Sequence, residues 1–521
     1  MSDLTEGRIS NSRRRVAQQS TAVESAARCA GEDSSLANSL EGDDQPECCD
    51  DHPDSHDAVS SSAAELPVPT TWRQTLAEVL SVAFPLMIST GMMSIVLFAD
   101  RYLLGRYDGV SMGASMAGGN LFWVLVCVPI GAASMTGAVI GQLIGSGQTE
   151  RVGRLLWQAI WLALMTIPWL VGCAYYAEDF FRFTGQADEL LPSQVTYMRW
   201  LMLGGLGLII ESALSGFFSG IERTRIIMWV SVASALINVL LDSLLVFGLA
   251  GFPRWGIAGA AIGSSIAFWF KVVCYVGLLS RRQFREPYGL ISGCVFDWAM
   301  LKSFVYFSLP SGLLYLSEGG AFTIILLKIG QLGDVPLRAT TMAVNFNMLA
   351  YIPLLGVGIA TSVLVGRHLL QSGPKIAVRT TPAALGFSLA YSGFFAILFL
   401  GFSDYLVQIY HLGVGQGDAP AGTQQATQMA MGLMGFIACY LLTDSIQLVI
   451  GSALKGAGDI WFVLGSAALA GSVTVGAGIY FQPQEPSLQW WWYVITVWIW
   501  LLAILMSVRF ISGRWKSKRM V

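Results

Sequence analysis

The stretch that decides the fold is "CYLLTDSIQLVIG", residues 439–451, in which a carboxylate, Asp444, interrupts an apolar run. The run extends over residues 426–452 and exceeds the roughly 20 residues that a membrane-spanning helix needs. A carboxylate in hydrocarbon costs roughly 2.5–3.5 kcal/mol or more, so it must be stabilised by a neighbour or used for function. The segment therefore indicates a membrane helix whose acid faces a polar interior.

The composition extends this interpretation to the whole chain. Of its 521 residues, 54% are hydrophobic and only 12% are charged, whereas soluble domains are about 25% charged. Twelve segments are long and apolar enough to span a membrane: 76–104, 112–140, 155–177, 196–219, 226–249, 256–279, 301–330, 337–365, 382–403, 426–452, 460–481 and 489–511. We expect an all-α integral membrane protein with twelve transmembrane helices.

Charge distribution predicts the orientation of these spans. Residues 1–70 are acidic, rich in Ser and without hydrophobic periodicity, which is typical of a disordered tail. Loops on the same side as this tail carry most of the Lys and Arg, and loops on the other side are acidic or nearly uncharged. The positive-inside rule therefore places both termini in the cytosol, and we expect the plasma (inner) membrane. The run "QWWWYVITVWIW", residues 489–500, predicts an aromatic belt where span 12 begins.

The chain contains an internal repeat. A shift of 225 residues superposes the following pairs: Pro85 and Pro310, Gly105 and Gly330, Asn120 and Asn345, Gly131 and Gly356, Gly141 and Gly366, Arg154 and Arg379. We therefore predict two pseudo-symmetric six-helix lobes in parallel orientation, an N-lobe (71–279) and a C-lobe (300–521), joined by a cytosolic linker (280–299). Repeats of this kind usually place the substrate path at their interface.

Four polar residues of the N-lobe spans fall at a similar depth. Asn238 and Asp242 are spaced i, i+4 on span 5, so they share one face. Asp100 on span 1 and Ser264 on span 6 lie in the same outer half. These groups could bind Na⁺ through hard oxygen ligands, or a proton shared by two neighbouring carboxylates. The alternative for Asp100 is an interfacial acid paired with Arg101.

The C-lobe spans carry acids of their own. Glu318 lies in the middle of span 7, and Asp444 shares a face of span 10 with Gln447 at i+3. Acids buried in a membrane mark substrate or ion pathways by default, so we expect these residues to act on cation or substrate.

Three further ionisable residues lie within spans. Glu211, in the middle of span 4, is also expected to be functional. Lys271 on span 6 either snorkels or pairs with an acid, and Lys328 near the outer end of span 7 is expected to snorkel. At a shift of 236 residues Glu211 falls on Gln447 and Asp444 falls on Leu208, so the acids are not duplicated. The two lobes are therefore expected to have different roles.

Six segments of the sequence, which include four of the acids described above, resemble the MATE (multidrug and toxic compound extrusion) family, of the NorM and DinF type. The resemblance covers about residues 75–511. The segments that carry it are "PLMISTGMMSIVLFAD" (85–100), "GFFSGIERT" (216–224), "INVLLDSLLVFG" (237–248), "GIAGAAIGSS" (256–265), "PSGLLYLSE" (310–318) and "DSIQLVIGSALKG" (444–456).

The resemblance implies an antiporter that exports organic, often cationic, compounds against inward flow of H⁺ or Na⁺ by alternating access. It implies that the N-lobe ion site consists of Asp100, Asn238, Asp242 and Ser264. Family members often have Thr at the position of Ser264. The C-lobe acids that the resemblance implies are Glu318 and Asp444. In DinF-type members the N-lobe cluster is the more important site, and in NorM-type members the C-lobe acids are. This chain has both. Residues 319–320 are both Gly, where some eukaryotic members have an aromatic pair.

Two other function classes fit the sequence less well. A lipid-linked or polysaccharide flippase would use the same scaffold but needs a basic cavity, whereas the buried charges here are mostly acidic. Nothing in the sequence favours an integral-membrane enzyme, because no HExxH or P-loop motif occurs and only His368 and His411 lie beyond the tail. We expect no cofactor, no metal other than Na⁺ at the N-lobe site, and no nucleic acid. The expected partners are small organic substrates and the lipid bilayer, with the chain acting as a monomer.

Overall fold

The computed structural model describes residues 69, 71–183, 190–406 and 423–520, except for the side chains of residues 109, 110, 112, 334 and 423. The expected disordered tail, apart from Pro69, and His411 lie outside the described residues. Within them the chain is helical and contains no strand.

Twelve helices of the described residues are long and apolar enough to cross a membrane, so the twelve predicted spans are confirmed. We number them α1 to α12. Their bounds are α1 Trp72–Tyr107; α2 Gly109–Ser134 and Thr136–Gly145; α3 Glu150–Met165 and Ile167–Tyr175; α4 Leu191–Gly220; α5 Thr224–Phe247; α6 Ile257–Leu279; α7 Trp298–Gly330; α8 Asp334–Gln371; α9 Pro374–Gly401; α10 Thr423–Ala457; α11 Ile460–Tyr480; α12 Leu488–Ile511. Shorter helices cover Ala177–Phe183 and Arg282–Arg285.

Local sequence explains where several helices begin. Thr71 caps α1 with a reciprocal capping box, in which its side chain and that of Gln74 each accept from the other's backbone N–H. Asp297 and Ser487 cap α7 and α12 by accepting from the backbone N–H three residues ahead. Each cap satisfies backbone donors that have no partner within the helix.

The helices pack as two groups of six. In the first group α4 packs against α2 and α6, and α5 against α1 and α6. In the second, α10 packs against α8, α9 and α12, and α11 against α7 and α12. The groups meet where α1 packs against α8, α2 against α7, and α2 against α8. The expected two-lobed arrangement is therefore present.

Glycines at the junction show that the lobes are related by pseudo-symmetry. A Cβ atom on Gly131 of α2 would lie 2.6 Å from Cα of Gly312 on α7, and one on Gly356 of α8 would lie 2.5 Å from N of Met87 on α1. The repeat superposes Gly131 on Gly356 and Met87 on Gly312, so the two contacts are the same contact with the halves exchanged. Only glycine allows backbones to approach this closely.

The segment between the lobes is fixed to the N-lobe. The backbone N–H of Gly153 donates to Tyr288 O at 2.9 Å, and Trp157 Nε1 donates to Leu290 O at 2.8 Å. Gln158 Nε2 adds a bond to Val295 O at 2.8 Å. The predicted linker is therefore packed along α3 rather than acting as a loose tether.

The predicted aromatic belt at the start of α12 is wrong for two of its residues. Trp491 and Trp492 are fully buried in the C-lobe core, where the Trp492 ring packs beside Tyr440 of α10. Their size fills the interior of the C-lobe, and the sequence run does not distinguish this role from a place at the lipid interface.

Candidate functional site: two intramembrane acid clusters

The first cluster joins α1, α5 and α6 within the N-lobe. Asn238 Nδ2 donates to Ser264 Oγ at 3.3 Å, and Ser264 Oγ donates to Asp100 Oδ2 at 3.4 Å. The carboxyl groups of Asp100 and Asp242 face each other, and their side chains are 6% and 0% exposed. The structure thus brings together all four residues that the sequence placed here.

The acceptors of this cluster outnumber its donors. Among the described residues, Asp100 Oδ1, Asn238 Oδ1 and both carboxyl oxygens of Asp242 have no hydrogen-bond donor. Buried acceptors of this kind are rare because each one costs free energy, and two ionised carboxylates in a low dielectric repel each other. Gly263 of α6 leaves room beside them, because a Cβ atom there would collide with Asp242 Oδ1. The donor set fits a shared proton or a cation held by hard oxygen ligands.

The alternative interpretation of Asp100, an ion pair with Arg101, is not what the structure contains. Arg101 Nη1 donates instead to Asn345 Oδ1 of α8 at 3.0 Å, across the junction between the lobes. Sequence reasoning also missed Tyr197 of α4, which is buried and lies within electrostatic reach of Asp100 and Asp242. Its position depends on α4 packing against α2 at Gly118, which spacing along one helix does not reveal.

The second cluster joins α7 and α10 in the C-lobe. Gln447 Nε2 donates to Glu318 Oε1 at 3.4 Å, and Asp444 lies within electrostatic reach of Glu318. Glu318 and Gln447 are half-buried, whereas Asp444 is buried with 8% exposure. The three residues predicted for this lobe therefore lie together.

Tyrosines surround the C-lobe acids, and the sequence did not single them out. Tyr351 of α8 lies near both Glu318 and Asp444, Tyr315 of α7 near Glu318, and Tyr440 of α10 near Asp444. Carboxylates bordered by aromatic rings form a site that attracts organic cations through charge and cation–π contact.

Glu211 belongs to neither cluster. Its Oε1 lies 3.8 Å from Lys271 Nζ of α6, so Lys271 pairs with an acid, one of the two expected possibilities. Lys328 reaches Gln331 Oε1 at 3.4 Å near the end of α7.

A further charged cluster, not predicted, joins the lobes at one end of the bundle. The buried guanidinium of Arg367 on α8 bonds to Glu78 of α1 and to Glu222 of the turn between α4 and α5. The ring nitrogens of His368 lie 2.8 Å from Arg367 Nη2 and from Thr380 Oγ1 of α9. We call this set the Arg367 cluster and this end of the bundle the Arg367 end.

Burial at the Arg367 cluster affects Glu222. Removal of the Glu222 carboxyl from water raises its pKa to about 7, although the Arg367 charge opposes this shift and Glu78 adds to it. Glu222 also has φ of 60°, a left-handed conformation uncommon for residues other than glycine, so the tight turn presents its side chain to Arg367.

A second contact crosses the lobes at the same end. Gln142 of α2 donates to Gly456 O at 2.9 Å and accepts from the backbone N–H of Met520 at 2.9 Å. The repeat superposes Gln142 on Arg367, so the same position in each half reaches into the opposite lobe. The internal repeat in the sequence predicts that Gln142 and Arg367 are equivalent, but it does not predict which groups they bond to.

Comparisons with known proteins agree with this architecture. The family model MatE matches residues 85–244 and 310–475, one match in each half of the chain. Multidrug resistance protein PmpM of Pseudomonas aeruginosa is 26% identical over 391 residues, which cover 74% of this chain and 80% of that protein. Multidrug resistance protein NorM of Burkholderia vietnamiensis is 26% identical over 409 residues, which cover 78% of this chain and 86% of that protein.

Solved structures give the same fold. The crystal structure of the eukaryotic MATE transporter AtDTX14 superposes with a TM-score of 0.76 at 18% sequence identity. The superposition covers 85% of this chain and 97% of the other. Since the family model matches more than half of the chain, the chain belongs to the MatE family and is a multi-pass membrane transporter rather than an enzyme.

Proposed function

We propose that this protein is a secondary active antiporter that exports organic, cationic, drug-like compounds in exchange for H⁺ or Na⁺. The observation that carries the proposal is the presence of two separate acid clusters in one chain. One is buried and rich in oxygen acceptors, and the other is half-buried and bordered by tyrosines. The relatives named for multidrug resistance support a drug-like substrate.

The two clusters suit different ligands. The N-lobe cluster is small and fully enclosed, which suits a proton or a bare cation. Glu318 and Gln447 of the C-lobe cluster are half-buried, which suits an organic cation whose charge Glu318 and Asp444 attract while Tyr315 and Tyr351 contact its apolar body. The proposal includes no cofactor. The N-lobe binds the coupling ion and the C-lobe binds the substrate.

Alternating access of the lobes connects the clusters. In the structure the lobes are joined at the Arg367 end by the Arg367 cluster and the Gln142 contact. Toward the other end, the second half of α1 and the first half of α8 are joined by the bond from Arg101 to Asn345, and most of their other described residues are half-buried or exposed. Binding of the cation drives transport only if it stabilises one arrangement of the lobes more than the other.

We further propose that the Arg367 end faces the cytosol of the plasma (inner) membrane, with both termini inside. The excess of Lys and Arg in the loops on that side supports this orientation. The predicted lobe boundaries, 71–279, 280–299 and 300–521, and action as a monomer belong to the same proposal.

The test is efflux of a cationic dye from proteoliposomes that contain the purified full chain, with pH and Na⁺ gradients imposed separately. We expect one of the two gradients to drive export of the dye. An ionophore that collapses this gradient should stop the export. Export that neither gradient drives would rule out antiport. Substitution of Glu318→Gln together with Asp444→Asn supplies the inactive control for leakage of the dye.

A further inference from the structure

One face of α5 is polar along much of its length. Asp242, Asn238, Ser234 and Ser231 follow at spacings of four, four and three residues, so they lie on one face. All four side chains are buried. Eleven residues separate Asp242 from Ser231, a distance of about 16 Å along the helix axis. This face therefore runs from the N-lobe cluster toward the Arg367 end.

Further polar side chains lie where this face ends at Ser231, toward the Arg367 end. Ser231 Oγ is 2.6 Å from Ser89 Oγ of α1, and the hydroxyl of Tyr275 on α6 lies beside Ser231. Tyr275 is also within electrostatic reach of Glu211, which pairs with Lys271 at 3.8 Å. The Glu211–Lys271 pair therefore lies near the end of the α5 face, where Ser231 and Tyr275 meet.

We propose that the polar face of α5 and the Glu211–Lys271 pair form the route by which a proton bound at Asp100 and Asp242 is released toward the Arg367 end. The proposal rests on the proposed antiport function and adds the exit path of the coupling ion. The proton leaves a carboxyl oxygen of the N-lobe cluster and passes along water held by the Asn238 amide, which transfers no proton itself. The hydroxyls of Ser234, Ser231 and Tyr275 then each accept one proton and pass on another. Glu211 accepts it and releases it to water, so only O–H bonds break and form.

The geometry of the face suits such a relay. Successive polar side chains on it are one helical turn apart, about 5.4 Å, a gap that one water molecule spans by hydrogen bonding to both sides. Ser234 is held in place because its Oγ donates to Ala267 O at 3.0 Å. Lys271 Nζ lies 3.8 Å from Glu211 Oε1 and holds that carboxyl group in place at the end of the route.

The row of hydroxyls distinguishes a proton from Na⁺ on this route. A proton moves by transfer between the oxygen atoms of hydroxyls and water, whereas a metal cation needs several oxygen ligands around it at every step. Single side chains one helical turn apart do not supply such a shell. The Lys271 ammonium repels either positive charge, so the prediction of H⁺ as the coupling ion rests on the spacing of the hydroxyls.

The experiment separates two modes of transport in proteoliposomes. Transport driven by a pH gradient requires proton release, whereas exchange of labelled for unlabelled dye at equal pH requires only the substrate-loaded movements of the lobes. The variants are Glu211→Gln with Lys271→Met, which removes both charges together, and Ser231→Ala. The matched control is Ser243→Ala on α5, whose hydroxyl bonds only to Val239 O of its own helix among the described residues.

We expect the double variant to lose at least tenfold in pH-driven transport and Ser231→Ala to lose severalfold, with dye exchange within twofold of wild type in both. Ser243→Ala should match wild type in both assays. Equal losses in the two assays would show a merely structural ion pair, and no loss in pH-driven transport would show that the route is not used; either result overturns the proposal. If the double variant does not fold, Ser231→Ala decides the question alone.

The wild-type protein separates this inference from the proposed function. Wild-type transport driven by Na⁺ at equal pH would overturn the proton route and leave antiport intact. Wild-type dye transport that responds to no gradient would instead refute the antiport function itself.

Discussion

Asp242 is the acid on which coupling depends most directly, because it is fully buried and neither carboxyl oxygen has a donor among the described residues. Asp242→Asn removes the group that can take up a proton or neutralise a cation. We expect gradient-driven dye efflux to fall at least tenfold, measured in proteoliposomes with equal amounts of protein. Binding of the dye should remain, because the substitution lies in the opposite lobe from the proposed substrate site.

A control with the same loss of charge is available at the surface. Glu178→Gln breaks an exposed ion pair with Arg182 outside the spans, which contributes little to stability. It should leave efflux unchanged. Wild-type efflux by Asp242→Asn would show that this carboxyl group has no part in coupling.

Glu318 should set the preference for cations. Glu318→Gln keeps the size of the side chain and its contact with Gln447 but removes the negative charge near Tyr351. We expect about tenfold weaker binding of a cationic dye, equivalent to about 1.4 kcal/mol, and unchanged binding of a neutral analogue of similar shape. Fluorescence titration of both ligands measures the difference. Equal losses for both would mean that Glu318 shapes the site without recognising charge.

Glu222 makes closure at the Arg367 end depend on pH. Burial raises its pKa to about 7 in the structure, whereas an open arrangement that exposes it to water restores the ordinary value near 4.5. The closed arrangement therefore binds more protons between these values, and its advantage falls as pH rises from about 4.5 to 7. The charged and titratable groups in contact are Glu78, Arg367 and His368.

Spectroscopic probes across the lobes can measure this dependence. We expect a distance measured between labels on the two sides of the Arg367 end to report more closed protein at pH 5 than at pH 7.5. Glu222→Gln should flatten the dependence, because the amide does not titrate. A dependence of the same size in Glu222→Gln would assign it to another group.

At the scale of elements, the contact between α2 and α7 depends on Gly131. Gly131→Ala places a Cβ atom 2.6 Å from Gly312 Cα, so the helices must move apart, at a cost of about 1–3 kcal/mol. The matched control in the same helix is Gly119→Ala, whose Cβ would have its nearest neighbour at 3.9 Å. We expect a lower melting temperature for the first variant and an unchanged or higher one for the second, since alanine favours helix. Similar melting temperatures would mean that the junction adapts freely.

The elements themselves were predictable from sequence because hydrophobic length is a local property. All twelve spans were found, and most of the helices begin before the predicted start. Helix α9 begins at Pro374 rather than 382, since proline is tolerated in a first turn and Pro382 is accommodated inside the helix. The side of a helix that faces lipid was harder to predict. Trp491 and Trp492 fill the C-lobe core, and the sequence pattern alone does not separate core from interface.

The candidate clusters were predictable to the extent that they follow helix spacing and depth. The pairing of Asn238 with Asp242, and of Asp444 with Gln447, follows from residues one turn apart on one helix. Tyr197, Tyr351 and the Arg367 cluster depend on which helices meet, a relation between distant parts of the chain. The spacing of residues along one helix contains no signal for those contacts.

At the scale of the whole molecule, duplication explains both the symmetry of the junction and its asymmetry. Gly131 and Gly356 make equivalent contacts, and Gln142 and Arg367 occupy equivalent positions. The two halves nevertheless use different chemistry there: an amide bonds to backbone in one, and a guanidinium bonds to two carboxylates in the other. The charged contact is the stronger of the two and the one that titrates. Opening at this end therefore depends mainly on Arg367.

This dependence predicts how the lobes respond when Arg367 is removed. Arg367→Ala removes the guanidinium that pairs with both Glu78 and Glu222, which disfavours the closed arrangement. Val363 of α8 is 1% exposed and its side chain lies against Gly137 and Gly141 of α2 across the junction, so Val363→Cys in a background without other cysteines reports opening by its reaction with a maleimide. We expect Arg367→Ala to raise the labelling rate at least tenfold. Arg509→Ala removes an equal charge from an ion pair with Asp459 inside the C-lobe and should leave the rate unchanged. Equal labelling in the two backgrounds would mean that the Arg367 cluster does not hold the lobes together.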